Sequence, residues 1–296
     1  MSFASSTPPA SPLSSLADPS PTVPGSGAAE ASATGASAPA QQPARFRPPA
    51  TVPVWGLPFS QLTLDGSLDA IDAMIRDGQP RYVITANLNY VMLSHGAEEM
   101  AAINRDAALI LADGQPIVWR SQLHAERLPE RVAGSEMIYR LAERSAQRGW
   151  RIFFLGAAPG VAQRCAKRLS QLYPGCQIAG VESPPFRALS SEEEAGLHQR
   201  IRDAAPDILL VAFGQPKGER WIHRHYRQLG VPVSIQLGAS FDFVAGAARR
   251  APRLIQRTGM EWAYRMAHDP RRLLPRYAGN AAFLGRTLMR ELVGRG

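Results

Sequence analysis

The chain has 296 residues and a formal net charge of +8, from 33 basic and 25 acidic side chains. It contains only two cysteines, Cys165 and Cys176, which excludes a disulfide framework and favours a reducing cytoplasm. No apolar run approaches the ~20 residues that a bilayer-spanning helix needs, so we expect no transmembrane segment.

The first 50 residues are built of Ala, Ser, Pro, Gly and Thr, with almost no large apolar side chains. Such a segment cannot bury enough surface to offset its chain entropy, so the composition predicts a disordered tail over residues 1–50. It lacks the basic start and apolar core of a secretory signal. The rest suits one large α/β domain, which we place at residues 51–245, followed by a basic appendage at 246–296.

Short apolar runs alternate with amphipathic stretches along the predicted domain. The predicted strands are Val52–Trp55, Tyr82–Thr85, Ala108–Leu111, Arg151–Leu155, Gln177–Val181, Asp207–Phe213 and Val233–Leu237. The predicted helices are Leu68–Arg76, Tyr90–Asn104, Ser135–Arg148, Val161–Tyr173, Glu192–Asp203 and Gly218–Leu229. This alternation is typical of βαβ units, so it predicts an α/β fold with a mostly parallel sheet and helices on both faces.

Ligands of such sheets bind beyond the carboxyl ends of the strands. Small or polar residues follow five of the predicted strands, in the turns Thr85–Asn89, Ala112–Gly114, Gly156–Gly160, Gly214–Lys217 and Gly238–Ser240. Several turns of this kind indicate one shared crevice.

Asp113 follows a predicted strand and precedes Gly114. A carboxylate held there is a candidate general base that takes a proton from an attacking hydroxyl. The alternative is a simple Asp-Gly turn. Thr85, Asn87 and Asn89, at the end of the neighbouring strand, are candidates to hydrogen-bond a sugar or to orient the base; alternatively, Thr85 or Asn87 caps the next helix.

The candidate phosphate-binding residues lie in the Gly-rich turns. Free amides between Gly156 and Gly160 can hold a phosphate at a helix start, although a tight βα turn explains the same residues. Lys217 and the amides near Gly214 and Gln215 can face a diphosphate, or Lys217 is an ordinary surface lysine. Neither turn carries the G-x-G-x-x-G of dinucleotide binders or the GK[ST] of a P-loop.

The sequence predicts no metal site and no cofactor. It has no H-E-x-x-H motif, no Cys/His cluster and no D-x-D, and its six histidines show no metal-ligand spacing. Asp242, between two phenylalanines, is interpreted as a structural or capping residue at the entry to the basic segment.

The segment 246–296 holds eleven arginines against three acidic residues, a net charge equal to that of the whole chain. From Pro252 the pattern predicts a helix with Trp262 and Met266 on one face. Pro270 ends it, and a second helix places Leu284, Leu288 and Leu292 together. Basic amphipathic helices suit an anionic membrane surface. The alternative is a pair of helices packed on the domain with a solvated basic rim, and nucleic-acid binding is disfavoured because no recognised motif accompanies the charge.

Seven segments, in order, resemble the TagA/WecG/CpsF family of bacterial glycosyltransferases (glycosyltransferase family 26). They are TANLNYVMLS, ILADGQPIVW, RVAGSEMI, FFLGAAPGVAQ, LLVAFGQPKGERWI, LGASFDFVAGAARRAP and GMEWAYRMAHDPRR..PRY, and the resemblance covers roughly Val54–Tyr277. It implies a Rossmann-like domain and an inverting, metal-independent transfer. The implied donor is a UDP-sugar, of the N-acetylmannosamine type or glucose, and the implied acceptor is a polyprenyl-diphosphate-linked sugar.

The resemblance also implies roles for individual residues. Asp113 matches the proposed base, and Thr85 and Asn87 match the Thr-x-Asn near the sugar. The Gly-rich turn 156–160, Gln215 and the LGASFDF turn match the donor-binding side. Together, the resemblance and the strand-end survey give the residues that we expect on the substrate-binding side, which are Asn89, Gly114, Gly156, Gly160, Gly214, Gln215, Lys217, Gly238, Ser240, Asp242, Arg249, Arg250 and Arg253. The Arg-rich segment 246–296 matches a C-terminal appendage that is expected to meet the membrane and to help close the active site. Of its arginines, we expect these three near the diphosphates and the later ones on the membrane.

One position departs from the family pattern. The family commonly has G-x-P-K-Q-E, whereas this chain has Gly218 in place of that Gln. Because glycine has no amide side chain, residue 218 cannot make the family's usual donor contact through one. We expect a peripheral enzyme on the cytoplasmic, inner face of the cell membrane that acts in exopolysaccharide or cell-surface synthesis. A catalytically silent, UDP-binding scaffold recruited to the membrane is the alternative, and a homo-oligomer stays open.

Overall fold

The computed structural model describes residues 45–248, 251–252, 255, 261–268 and 270–293, with only the backbone of residues 265, 272, 288 and 290–293. The predicted tail at 1–50 therefore lies almost entirely outside the described residues. So do Arg249, Arg250 and Arg253.

A six-stranded sheet forms the centre of the fold, in the order β4-β3-β8-β7-β5-β6. Its strands are β3 (Arg81–Ala86), β4 (Leu109–Ala112), β5 (Arg151–Gly156), β6 (Gln177–Glu182), β7 (Ile208–Ala212) and β8 (Val233–Gln236). Every neighbouring pair is parallel. The α/β, Rossmann-like fold class is thus confirmed.

A short antiparallel hairpin precedes the sheet, formed by β1 (Thr51–Val54) and β2 (Leu57–Ser60). Its turn residues Trp55 and Gly56 both have positive φ, 48° and 83°, as a tight two-residue hairpin turn requires. The sequence predicted β1 but not β2. The Ser60 hydroxyl accepts a hydrogen bond from the Ile110 amide at 3.2 Å, which fixes the hairpin beside β4.

Helices connect the strands. They are α1 (Leu64–Asp77), α2 (Leu88–Ser94), α3 (Glu98–Asp106), α4 (Gln115–Ser121), α5 (Gly134–Arg148), α6 (Val161–Leu172), α7 (Ser191–Asp203), α8 (Lys217–Leu229) and α9 (Ser240–Val244). The single helix predicted over Tyr90–Asn104 was wrong. The chain breaks between α2 and α3, where His95 is extended and Gly96 has a φ of 72°.

The core lies on both faces of the sheet. Successive side chains of β5 alternate between two buried apolar clusters: Phe154 belongs to one and Phe153 to the other. The Phe154 ring packs on Phe241 of α9 at a centroid distance of 5.3 Å. Burial on both faces explains why β4, β5 and β7 are largely apolar, whereas the partly exposed β6 is less so.

Two further helices follow, α10 (Glu261–His268) and α11 (Pro270–Val293). Phe283 of α11 is buried, with its ring centroid 6.5 Å from Trp55 and 5.5 Å from His95. The last helix therefore packs on the domain, as one of the two interpretations of the segment expected. A boundary at residue 246 stays a prediction. Among the described residues, no helix is both long and apolar enough to cross a bilayer.

Candidate active site

A cavity of about 820 Å³ lies at the carboxyl edge of the sheet. Its walls come from the residues that follow β3, β4, β5, β7 and β8, the five turns singled out in the sequence. Helices α10 and α11 close it from the other side through Glu261, Trp262, Arg276, Tyr277 and Asn280. A volume of this size is typical of small-molecule sites.

Asp113 lies on the cavity wall directly after β4. Its backbone amide donates to the Ala86 carbonyl at 2.9 Å, which ties the residue to the end of β3. Burial raises the pKa of its carboxyl group to about 7, and Glu261 adds to this effect. The Arg131 guanidinium and a hydrogen bond from the Gly134 amide oppose the rise. A carboxylate with this pKa is able to accept a proton near neutral pH.

Close packing at Gly134 brings the start of α5 to this carboxylate. A Cβ at this position would lie 3.2 Å from Leu237 Cδ2 and 3.4 Å from Thr85 Oγ1. Glycine therefore allows α5 to approach the ends of β3 and β8. Arg131, just before the helix, also lines the cavity and pairs with Glu136 at 2.9 Å.

Thr85 and Asn87 both line the cavity. The Thr85 hydroxyl donates to the Gln236 carbonyl at 2.8 Å. The Thr85 oxygen can therefore act toward a ligand as a hydrogen-bond acceptor. Asn87 is the N-cap of α2, and its Oδ1 accepts from the Tyr90 amide at 3.2 Å. The capping interpretation of Asn87 is thus confirmed, and its side-chain NH2 is the group that can face a ligand.

Gln215 links the turn after β7 to the end of β3. Its Nε2 donates to the Thr85 carbonyl at 3.3 Å, and its Oε1 accepts from Asn89 Nδ2 at 3.5 Å. Beneath it, Glu219 in the first turn of α8 is almost completely buried. Burial raises the pKa of Glu219 to about 8, so this group is mostly protonated at neutral pH.

Gly218 faces the side chain of Gln236. A Cβ on Gly218 would lie 2.6 Å from Gln236 Cδ and 2.7 Å from each amide atom. The amide of Gln236 thus occupies the space into which a side chain at residue 218 would project. Gln236 is itself buried, at the end of β8.

The other predicted binding residues fall into three groups. Gly114, Gly214, Gly238, Ser240 and Asp242 line the cavity with those described above. Gly156, Gly160 and Lys217 are not among the described residues that line it, although Ala157 and Ala158 of the same turn are. Arg249, Arg250 and Arg253 lie outside the described residues.

Sequence reasoning missed several residues at this site. Arg131 and Glu219 were not singled out, because neither directly follows a strand as Asp113 does. Arg131 precedes α5, and Glu219 lies in the first turn of α8. Arg276 belongs to α11, whose place over the cavity no local pattern reveals. Trp119 and Phe186 also line the cavity and are 54% and 81% exposed.

Several proteins that share one name are similar to this chain. The N-acetylglucosaminyldiphosphoundecaprenol N-acetyl-beta-D-mannosaminyltransferase of Bacillus spizizenii (strain ATCC 23059 / NRRL B-14472 / W23) is 29% identical over 223 residues, 75% of this chain and 85% of the relative. The enzyme of the same name from Bacillus subtilis (strain 168) is 29% identical over 234 residues, 77% of this chain and 90% of the relative. The one from Staphylococcus aureus (strain MW2) is 26% identical over 226 residues, 76% and 87% of the two chains.

The family model described as "Glycosyl transferase WecG/TagA/CpsF family" matches residues 52–296. This range includes the whole central sheet, the cavity walls and the two C-terminal helices. The protein is a glycosyltransferase, and it belongs to the WecG/TagA/CpsF family.

Proposed function

We propose that this protein transfers a sugar from a UDP-sugar to a hydroxyl group of a polyprenyl-diphosphate-linked sugar, with inversion at the anomeric carbon. The observation that carries the proposal is Asp113, a carboxyl group with a pKa of about 7 on the wall of an 820 Å³ cavity. The names of the relatives specify a diphosphoundecaprenol-linked acceptor and an N-acetylmannosaminyl group. We propose an N-acetylmannosamine-type sugar or glucose as the group transferred here.

In the proposed step the ionised Asp113 takes the proton of the acceptor hydroxyl. The hydroxyl oxygen then forms a bond to the anomeric carbon of the donor, while the bond from that carbon to the β-phosphate oxygen breaks. UDP leaves with the bonding electron pair, and Asp113 is left protonated. The raised pKa suits this role because a base is most effective when its pKa lies near the working pH.

The polar groups around Asp113 position the sugar. Asn87 and Asn89 offer side-chain amides on one side, and the Thr85 oxygen accepts hydrogen bonds from sugar hydroxyls. Gln215, held by Thr85 and Asn89, fixes the turn after β7 against them. Sugar contacts of this kind orient the anomeric carbon toward the attacking oxygen.

Cationic groups stabilise the departing diphosphate without a metal ion in the proposed mechanism. Arg131 and Arg276 line the cavity, and α5 starts beside it. Preorganised positive groups of this kind stabilise charge that develops in the transition state. We also propose that Arg249, Arg250 and Arg253 of the basic segment contact the diphosphate. Two further predicted contacts of the diphosphate are the backbone amides of the turn 156–160 and the side chain of Lys217.

The transfer is tested by incubating the purified protein with a synthetic polyprenyl-diphosphate N-acetylglucosamine and a panel of UDP-sugars, with mass spectrometry of the lipid product. We expect one UDP-sugar to add a single sugar mass to the lipid. No product with any donor, in the presence of measurable UDP binding, would instead support the catalytically silent scaffold.

Asp113→Asn tests the base. We expect turnover to fall by about 10²–10⁴-fold, the usual contribution of a general base, with UDP affinity retained. Asp72→Asn is the matched control, because Asp72 lies on α1, does not line the cavity and pairs with Arg76. Near-normal turnover of Asp113→Asn would remove Asp113 from this role.

We also propose that the cavity mouth rests on the inner face of the cell membrane, where the lipid-linked acceptor lies. Three exposed aromatic side chains line the cavity, namely Trp119, Phe186 and Trp262, and the exposed Leu123 lies one turn beyond Trp119. Aromatic and apolar groups of this kind insert into the headgroup region of a bilayer. The arginines of the basic segment would add attraction to anionic lipid.

Sedimentation with phosphatidylglycerol vesicles tests this orientation. We expect the double variant Trp119→Ser/Phe186→Ser to bind several-fold more weakly than the unchanged protein. Leu172→Ser is the matched control, because Leu172 is 51% exposed on α6 and does not line the cavity. Equal losses in the control and the double variant would contradict the proposed orientation.

A further inference from the structure

A cluster of metal-ligating side chains lies on the outer helices α7 and α8, apart from the cavity. Glu194 and His198 belong to α7, and His225 belongs to α8. None of the three is among the residues that line the cavity. Since 26 residues separate His198 from His225, no local spacing could reveal the cluster, and the sequence predicted no metal site.

The three side chains have the geometry of a metal site. One potential ligand atom from each lies within 4.8 Å of the other two. Glu194 and His198 are four residues apart, so they share one face of α7. Nε2 of His225 is 3.2 Å from Glu194 Oε1. Two ligands of a tetrahedral zinc ion, with bonds of ~2.0–2.1 Å, lie about 3.3 Å apart.

Both imidazoles are buried. His198 is 7% exposed and His225 is 4% exposed. A neutral imidazole has one nitrogen lone pair available for a metal ion. Within the described part of the chain, Nε2 of His198 has no hydrogen-bond partner, and Nε2 of His225 makes no contact of hydrogen-bond geometry although Glu194 Oε1 lies 3.2 Å away. Buried polar atoms without partners are costly, and a bound cation would satisfy them.

We propose that Glu194, His198 and His225 bind one Zn²⁺ ion, with water as the fourth ligand. Two imidazoles and one carboxylate form a donor set that zinc accepts in proteins, and imidazole suits zinc better than it suits Mg²⁺ or Ca²⁺. The Glu194 side chain is 36% exposed, which leaves one side of the site open for the ion and its water. The ion ties α7 to α8.

The site is connected to the cavity through aromatic rings. The Trp221 ring lies 6.0 Å from His198 and 5.0 Å from His225, measured between centroids. Its other neighbour is Phe213, at 5.5 Å, which lines the cavity. Zinc would therefore stiffen the wall that carries Phe213, and it would take no part in sugar transfer.

Calorimetric titration with Zn²⁺ tests the site in the full chain after removal of metal with a chelator. We expect one ion per chain. Glu194→Gln should weaken binding ~100-fold or more, since the loss of an outer-shell partner alone costs ~10–100-fold. Glu192→Gln is the matched control, because Glu192 is an exposed residue on the first turn of the same helix.

Two further measurements check that the variant is folded and that the metal site is tetrahedral. Circular dichroism should show that Glu194→Gln is folded, as expected for a substitution at a partly exposed position. Co²⁺ added to the unchanged protein should give a visible absorption band typical of a tetrahedral site, and Zn²⁺ should displace it. Absence of stoichiometric Zn²⁺ binding, or equal affinity in Glu194→Gln and Glu192→Gln, would overturn the proposal.

Discussion

The body of the central sheet and its carboxyl edge are formed by the same strands but contain opposite kinds of residue. In the body, side chains such as Phe154 and Leu210 are completely buried and apolar. At the edge, Asp113, Glu219 and Gln236 bring polar groups into partial or complete burial. Burial raises the pKa of both carboxyl groups, which means that the fold disfavours their ionised forms.

The difference between the body and the edge indicates where stability and function reside. The body should lose stability when it is altered, because its side chains fill the core. The edge should lose activity and retain or gain stability, because charged groups held in a cavity oppose folding. Substitutions in the two regions test this difference.

The largest effect on stability is expected from Phe154→Ala in β5. The side chain is completely buried and packs on Phe241, so its removal leaves a cavity in the core. Loss of a buried Phe side chain costs about 3–5 kcal/mol. Urea unfolding of the variant and the unchanged protein measures the difference. A loss below ~1 kcal/mol would show that the body of the sheet is not the source of stability.

A smaller effect is expected where the edge meets the body, at Gly218. A Cβ there would overlap the Gln236 amide, so Gly218→Ala should lose ~1 kcal/mol of stability through overpacking. In a double-mutant cycle with Gln236→Ala, the two substitutions should be coupled by a similar amount. Additive losses of unfolding free energy would mean that the side chain at residue 218 does not clash with Gln236.

A change of opposite sign is expected for Asp113→Asn. The pKa of Asp113 rises from 3.8 to about 7 on folding, so its ionisation lowers stability progressively between these two pH values. The variant should therefore unfold at a higher temperature than the unchanged protein at pH 8, with a smaller gain at pH 5. Lower stability of the variant at pH 8 would contradict this interpretation.

Asp106→Asn provides a control of the opposite sign for that comparison. A hydrogen bond with His223 lowers the pKa of Asp106, so its carboxylate stabilises the fold above the ordinary pKa and loses this effect as the pH falls. We expect Asp106→Asn to unfold at a lower temperature than the unchanged protein at pH 8.

The sequence predicted the body of the sheet better than its edge. Largely apolar runs located the central strands, most of which are buried on both faces. It missed α4 and α9, which are short helices that begin inside turns. It also joined α2 and α3, because Gly96 at their junction lies within an amphipathic pattern.

At the site, the rule that ligands bind beyond the carboxyl ends of strands located Asp113, Thr85 and Gln215. Other contributions come from chain segments that meet only in three dimensions. Arg131 precedes a helix, and Arg276 reaches the cavity because Phe283 anchors α11 between Trp55 and His95. Local patterns do not contain such long-range packing.

The pH dependence of kcat/KM tests the central claim, that Asp113 is the base, most directly. Below pH 7 the rate should fall about tenfold for each unit of pH, because the protonated carboxyl group cannot accept a proton, and it should level off above about pH 8. A rate that stays constant from pH 5 to pH 8 would contradict the account.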